Sequence, residues 1–493
     1  MHKTLIGLTL AVAMSGGALA ASPKANEAAT ARHYATLIKG SAPQLSELTL
    51  FFTQMPKGGD LHHHYSGAIY AEQYLEWVDK MGYCVNKQTY RIETDKAVVE
   101  SQRALKPADK SCVSAGEMLR DDGAYAEMLQ RWSGKDFYNH GADQPPPDRR
   151  FFDTFGYFGP VSNANFNEGL QTLKRRAIEE NVGYIETMFK MAPPNADDAK
   201  WDAAVEGATN DQALHAQFDA MLAALDADAS FKGRMADFVN TVKAASAGID
   251  DEQFTMRYQT YVLRLFPPSM VFSSMVGGFQ SAMDSHGLIV GVNIVGQESN
   301  VVSMRDYTLH MKMFQYLHAK YPQVKLALHA GELTLGMVPP EGLKFHIQQA
   351  IELGGARRIG HGIDLAHEAD AVGIMKTMKQ QDIAVEINLT SNGFINGISG
   401  ENHPLTLYRK YGVPYVISTD DAGVTRHNLA NEYVLFASRY KPSYAELKQA
   451  SYNSIRYSFL SDAEKQRLMM QLNQRFAAFE DKMAKLDAMA RRR

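Results

Sequence analysis

A chain of 493 residues with 45% hydrophobic and 22% charged residues can bury a large core, which excludes a disordered chain. The formal net charge of −4 leaves no electrostatic footprint for nucleic acid, and Arg491, Arg492 and Arg493 read as a solvated tail. No segment after the N-terminus is apolar for long enough to span a bilayer, so no membrane partner is expected of the mature chain.

At the N-terminus, Lys3, the apolar run 5–14 and Ala18-Leu19-Ala20 follow the order of a secretory signal peptide, residues 1–20. The mature chain, 21–493, is then expected as one exported domain, periplasmic or secreted. Eight short apolar runs lie between longer helical patterns, at 59–64, 182–187, 258–265, 288–295, 325–330, 358–362, 384–388 and 415–418. Strands alternating with helices predict an α/β fold, and eight of them a (β/α)8 barrel of the TIM type. Roughly 115 residues separate the first run from the second, far more than one crossover needs. The excess, about 82–148, is expected as an insertion beside the barrel mouth. It carries Cys84 and Cys112, and export favours a disulfide between them over two buried thiols. Residues 462–489 predict a closing amphipathic helix. A homodimer is compatible with the sequence.

The chemistry lies at the strand ends, where barrels of this class build active sites. His62 and His64 share one face of the first strand, so both imidazoles can reach one ion, while His63 points into the wall. His329-Ala330-Gly331-Glu332 closes the fifth strand, His361 the sixth, and Asp420-Asp421 the eighth. Neutral imidazoles and a carboxylate suit zinc, with His62, His64, His329 and Asp420 holding one ion and a water position left open. Zinc lowers the pKa of water to roughly 7. Glu332 is then placed as proton donor, and His361 orients the water and stabilises its deprotonation. Attack on an aromatic carbon bearing an amino group would expel ammonia.

Met55-Pro56-Lys57, His62-x-His64, the His329–Glu332 motif, His361-Gly362 and Thr419-Asp420-Asp421 together resemble the adenosine deaminase family, across residues 55–421. The resemblance implies the same four zinc ligands, Glu332 as donor to purine N1 and His361 beside the attacking hydroxide. It further implies Asp421 bonded to N7 and the Gly331 N–H facing N3. The segment from Glu386 to Asn392 resembles the family's seventh strand. Val295-Gly296-Gln297-Glu298, export and a disulfide-bearing insertion are similar to the secreted growth-factor branch. Ser66 stands where many members have an aspartate that meets the ribose, leaving Ser66, Tyr65 and the insertion as sources of the sugar contact. Ala422 replaces a proline after the paired aspartates.

The implied activity is zinc-dependent deamination of adenosine and 2′-deoxyadenosine, with a purine nucleoside as the small-molecule partner. The alternative within enzymes is a mononuclear hydrolase of another amino-heterocycle. The run 288–295 lacks the lysine that dinuclear relatives need, and two cysteines 28 apart cannot form a Cys-x-x-Cys zinc site. An exported binding module on the same fold would have lost the acid or a ligand, and every one is present.

Overall fold

A computed structural model describes residues 22–136 and 145–490. The expected signal peptide, the arginine tail and part of the insertion lie outside the described residues.

Strand β1 is Gly58–His64. The insertion then forms a separate antiparallel sheet of β2 (Cys84–Asn86), β3 (Ile92–Glu93) and β4 (Cys112–Val113), in the order β3-β2-β4. Cys84 and Cys112 are disulfide-bonded with Cα atoms 5.7 Å apart, tying β2 to β4. The barrel resumes with β5 (Val182–Met191), β6 (Thr255–Leu263), β7 (Ile289–Val295) and β8 (Lys325–Ala330). It is completed by β9 (Arg358–His361), β10 (Ala384–Ile387) and β11 (Tyr415–Ile417). All eight expected barrel strands are present, pairing parallel in the order β1-β5-β6-β7-β8-β9-β10-β11.

Parallel strands packed on both faces read as largely apolar runs, as in Ile289-Val-Gly-Val-Asn-Ile-Val295 with Asn293 as its one polar residue. The intervening helices cover the outer face. Helix Pro268–Asp284 presents Phe272, Met275, Val276 and Phe279 at helical spacing, all fully buried. Burying one such side chain contributes about 2 kcal/mol. Closure between β11 and β1 rests on the residues just past the last strand. Asp420 N donates to His62 O at 2.7 Å and His64 N donates to Asp420 O at 3.1 Å. A catalytic candidate therefore also seals the barrel.

The N-terminal end of the barrel is plugged from the C-terminal part of the chain. Gly59 N donates to Ser454 Oγ at 2.6 Å, and the Arg358 guanidinium lies 3.8 Å from the Phe459 ring centre. The expected closing helix spans Asp462–Ala490, and its Glu480 carbonyl accepts from Thr30 Oγ1 in helix Pro23–Leu37. The opposite end stays open. Among the described residues no helix is long and apolar enough to cross a membrane.

Candidate active site

The C-terminal ends of β1, β8, β9 and β11 bring His62, His64, His329, His361 and Asp420 together. Donor atoms of His62, His329, His361 and Asp420 lie within 4.8 Å of one another, and Asp420 is shared with a second group containing His64 and Asp421. The two oxygens of Asp420 separate two roles. Oδ1 is approached by His64 Nε2 at 3.2 Å and His62 Nε2 at 3.5 Å, and His64 Nε2 is 3.2 Å from His329 Nε2. Oδ2 accepts from Ser391 Oγ at 2.6 Å and faces His361 Nε2 at 3.9 Å. On the Oδ1 side, His62, His64, His329 and Asp420 could hold a cation, with His361 across from it. The buried Nε2 of His62 makes no hydrogen bond, as a nitrogen reserved for a metal would. Asp420 and His361 both adopt positive φ, +63° and +68°, which non-glycine residues sustain only when their surroundings hold them there.

Partners behind the cluster aim the imidazoles. His62 Nδ1 meets Glu386 Oε2 at 2.6 Å, and Glu386 also accepts from Arg358 Nε at 2.5 Å. His329 Nδ1 meets Asn293 Oδ1 at 2.9 Å. Occupied Nδ1 atoms leave both Nε2 atoms for an ion. Burial, then the charge of His62, hold His329 well below the usual histidine range, and burial lowers His64 as well. Burial also disfavours charge on His62, but the Asp420 and Glu386 carboxylates outweigh it and raise the ring to about 10. Burial would raise Asp420 too, yet its contacts with His62 and His64 keep it well below the usual range. His329 and His64 are thus biased toward the neutral form, the form in which an imidazole can bind a metal. Sequence reasoning missed Asn293, although one polar residue inside an apolar strand is the signal that marks it.

Glu332 is buried beside this cluster, and its Oε1 has no hydrogen-bond partner. Burial first, then the negative charges of Asp420 and Glu298, hold its carboxyl well above the usual range, which favours the protonated form. Its backbone is clamped by Glu298, which accepts from Gly331 N at 3.0 Å and Glu332 N at 2.8 Å. Burial alone would neutralise Glu298. Arg264 and His346 bring it down to about 2, so the clamp is ionised. This corrects the expectation for Gly331. In its left-handed turn, φ +73°, the N–H is aimed at Glu298 and not into the cavity, whose wall carries Gly296 instead.

A cavity of about 660 Å³, within the range of small-molecule sites, opens above the cluster. His64, His329, Glu332, His361, Asp420 and Asp421 line its floor, and Ser66 lines its side. Tyr65 is turned away, packed against Phe166 and Phe189, and supplies no contact there. The apolar wall comes from Phe151, Phe152 and Phe155 on helix Pro147–Ser162, just after the expected insertion. Among the described residues of 82–148 none lines the cavity, and the insertion's sheet packs beside this helix. The buried Asp421 carboxyl, raised well above its usual range by burial and then by Asp420, leaves Oδ1 unpartnered. Room for it comes from Gly67, where a Cβ would lie 1.4 Å from that oxygen.

Comparison with known proteins points the same way. The family model described as adenosine deaminase matches residues 217–475. The adenosine deaminase of Vibrio parahaemolyticus serotype O3:K6 is 26% identical over 272 residues, which cover 49% of this chain and 77% of that protein. That of Aliivibrio fischeri strain MJ11 is 31% identical over 154 residues, 31% of this chain and less than half, 43%, of its own length. Among solved structures, the N6-methyl-AMP deaminase from Arabidopsis thaliana aligns with 86% of this chain and 98% of its own, at a TM-score of 0.53 and 18% identity. A likeness at that identity speaks to the fold.

Proposed function

The chain belongs to the adenosine deaminase family, a family of metal-dependent hydrolases, and we propose that it converts adenosine and 2′-deoxyadenosine to inosine and 2′-deoxyinosine with release of ammonia. The observation that carries this reading is the convergence of imidazoles and Asp420 beside the buried carboxyl of Glu332, whose Oε1 has no hydrogen-bond partner and whose environment favours the protonated form. Three nitrogens and one carboxylate suit a single zinc ion. When bound, zinc supplies Lewis acidity and lowers the pKa of a water to roughly 7.

The remaining work falls to the chain's own groups. Glu332 gives its proton to the ring nitrogen next to the reacting carbon, drawing electrons from that carbon. His361 orients the attacking oxygen from the Oδ2 side of Asp420. Asp421, whose carboxyl burial and then Asp420 push toward the protonated form, donates to the acceptor on the other edge of the purine. The phenylalanine wall excludes water. Ser66 meets the sugar with a neutral hydroxyl, a weaker grip than a charged one. The Cys84–Cys112 bond supports an exported chain.

The deciding measurement is kcat/KM for adenosine, 5′-deoxyadenosine and free adenine, in wild type and Ser66→Asp. Adenosine is expected to be best, and Ser66→Asp to widen its advantage over 5′-deoxyadenosine. Adenine or a non-purine as the best substrate refutes the nucleoside reading, and unchanged ratios in Ser66→Asp remove Ser66 from the sugar contact.

One observation favours a second reading, a 5′-nucleotide. Lys190 lines the cavity, and no carboxylate forms an ion pair with it among the described residues. His64 sits beside Met188 in the parallel register, Lys190 lies two residues further along β5, and both Ser66 and Lys190 line the cavity. A phosphate on the sugar would meet that cation. Adenosine 5′-monophosphate turned over by wild type and at least about tenfold less efficiently by Lys190→Met, with adenosine unaffected, supports it. Equal efficiency in both proteins counts against it.

A further inference from the structure

A chain of three hydrogen bonds runs into His361 from the far side of the barrel wall, and its direction is set at its origin. Pro404 has no N–H, so the first free donor of helix Leu405–Tyr411 is the backbone N–H of Leu405. That N–H lies 3.1 Å from His403 Nδ1. A backbone N–H can only donate, so His403 Nδ1 accepts. Buried His403 is neutral, lowered to about 3 by burial and then by the charge of Arg439, so its single proton sits on Nε2. His403 Nε2 lies 3.1 Å from Asn392 Oδ1, and this bond fixes which way the amide points. The Asn392 amide nitrogen then faces His361 Nδ1 at 3.0 Å, with the Asn388 amide nitrogen at 3.4 Å behind it. Both are donors. Glu332 Oε1 stands 3.8 Å from the same ring nitrogen, beyond hydrogen-bond reach.

We infer that His403, acting through Asn392, sets the tautomer of His361, so that His361 enters the reaction with its proton on Nε2. The inference deepens the proposed deaminase reading and rests on His361 acting in that site. Its consequence is a definite role. An Nε2–H facing the Oδ2 side of Asp420 donates to the attacking oxygen and stabilises its negative charge, and it does not begin the cycle as a base. His403 touches neither the cavity nor the ligands, so it is a positioning residue.

The test uses zinc-loaded protein labelled with ¹⁵N-histidine, with the His361 signals assigned by their loss in His361→Gln. Wild type is expected to show His361 with Nδ1 unprotonated and Nε2 protonated. Asn392→Asp keeps the shape but can only accept, so it should draw a proton onto His361 Nδ1. In that variant kcat for adenosine should fall at least about tenfold with KM nearly unchanged. His403→Gln, whose amide can still donate to Asn392, should keep the wild-type pattern and rate, whereas His403→Leu should lose both. A wild-type spectrum with the His361 proton on Nδ1 overturns the inference, as does an unchanged tautomer in Asn392→Asp. The wild-type spectrum decides even where a variant fails to fold. Because it reads the ring and not turnover, it also separates this inference from the choice of substrate.

Discussion

Glu332→Gln is expected to keep its metal and lose at least about 10²-fold in kcat. The substitution preserves volume and planarity, and the Glu298 clamp holds the backbone N–H groups of Gly331 and Glu332, which the side chain does not influence. What disappears is a transferable proton. In the native site that proton is secured by burial and by the negative charges of Asp420 and Glu298, on a carboxyl whose Oε1 has no competing partner. An amide can offer a hydrogen bond to the ring nitrogen but cannot protonate it. The check is steady-state kinetics on preparations whose metal content is measured. A near-normal rate in a metal-replete variant refutes Glu332 as the donor.

The second large effect concerns the metal itself. One zinc per chain is expected, and chelation or His329→Ala should lower activity by on the order of 10³-fold or more, restored in the chelated wild type by adding zinc back. His329 is the informative ligand because its Nδ1 is held by Asn293 and its Nε2 lies 3.2 Å from His64 Nε2, across the convergence point. Removing it deletes one donor while the Glu386–His62 pair stays intact. Asn293→Ala gives a milder companion, since it frees the ring without removing it and should weaken metal binding by about 10–100-fold. Metal analysis finding two ions per active chain, or full activity in His329→Ala, rejects the single-site assignment.

The barrel was legible because its signals are local. A parallel strand buried on both faces is mostly apolar, so β5 to β11 stand out between helical patterns, and their observed limits differ from the expected ones by a few residues. The candidate His/Asp cluster was legible for a related reason. In this topology every C-terminal strand end faces one mouth, so His62, His64, His329, His361 and Asp420 come together once the strands are known.

The sequence by itself therefore determined the barrel, the family and the strand-end cluster of histidines and carboxylates, because period and strand-end position are properties of short stretches. Only the tertiary structure decided how each group is presented. Gly331 carries the right residue type, but its N–H is claimed by Glu298, over thirty positions earlier in the chain. Tyr65 adjoins His64, yet the twist at the end of β1 turns it into the wall. Asp421 fits only because Gly67 has no Cβ. The proton on His361 is fixed by Leu405, His403 and Asn392, through bonds whose direction depends on a helix start. Hydrogen bonds are short and directional while their partners lie far apart in the chain, so no period records them, and folding alone brings each donor to its acceptor.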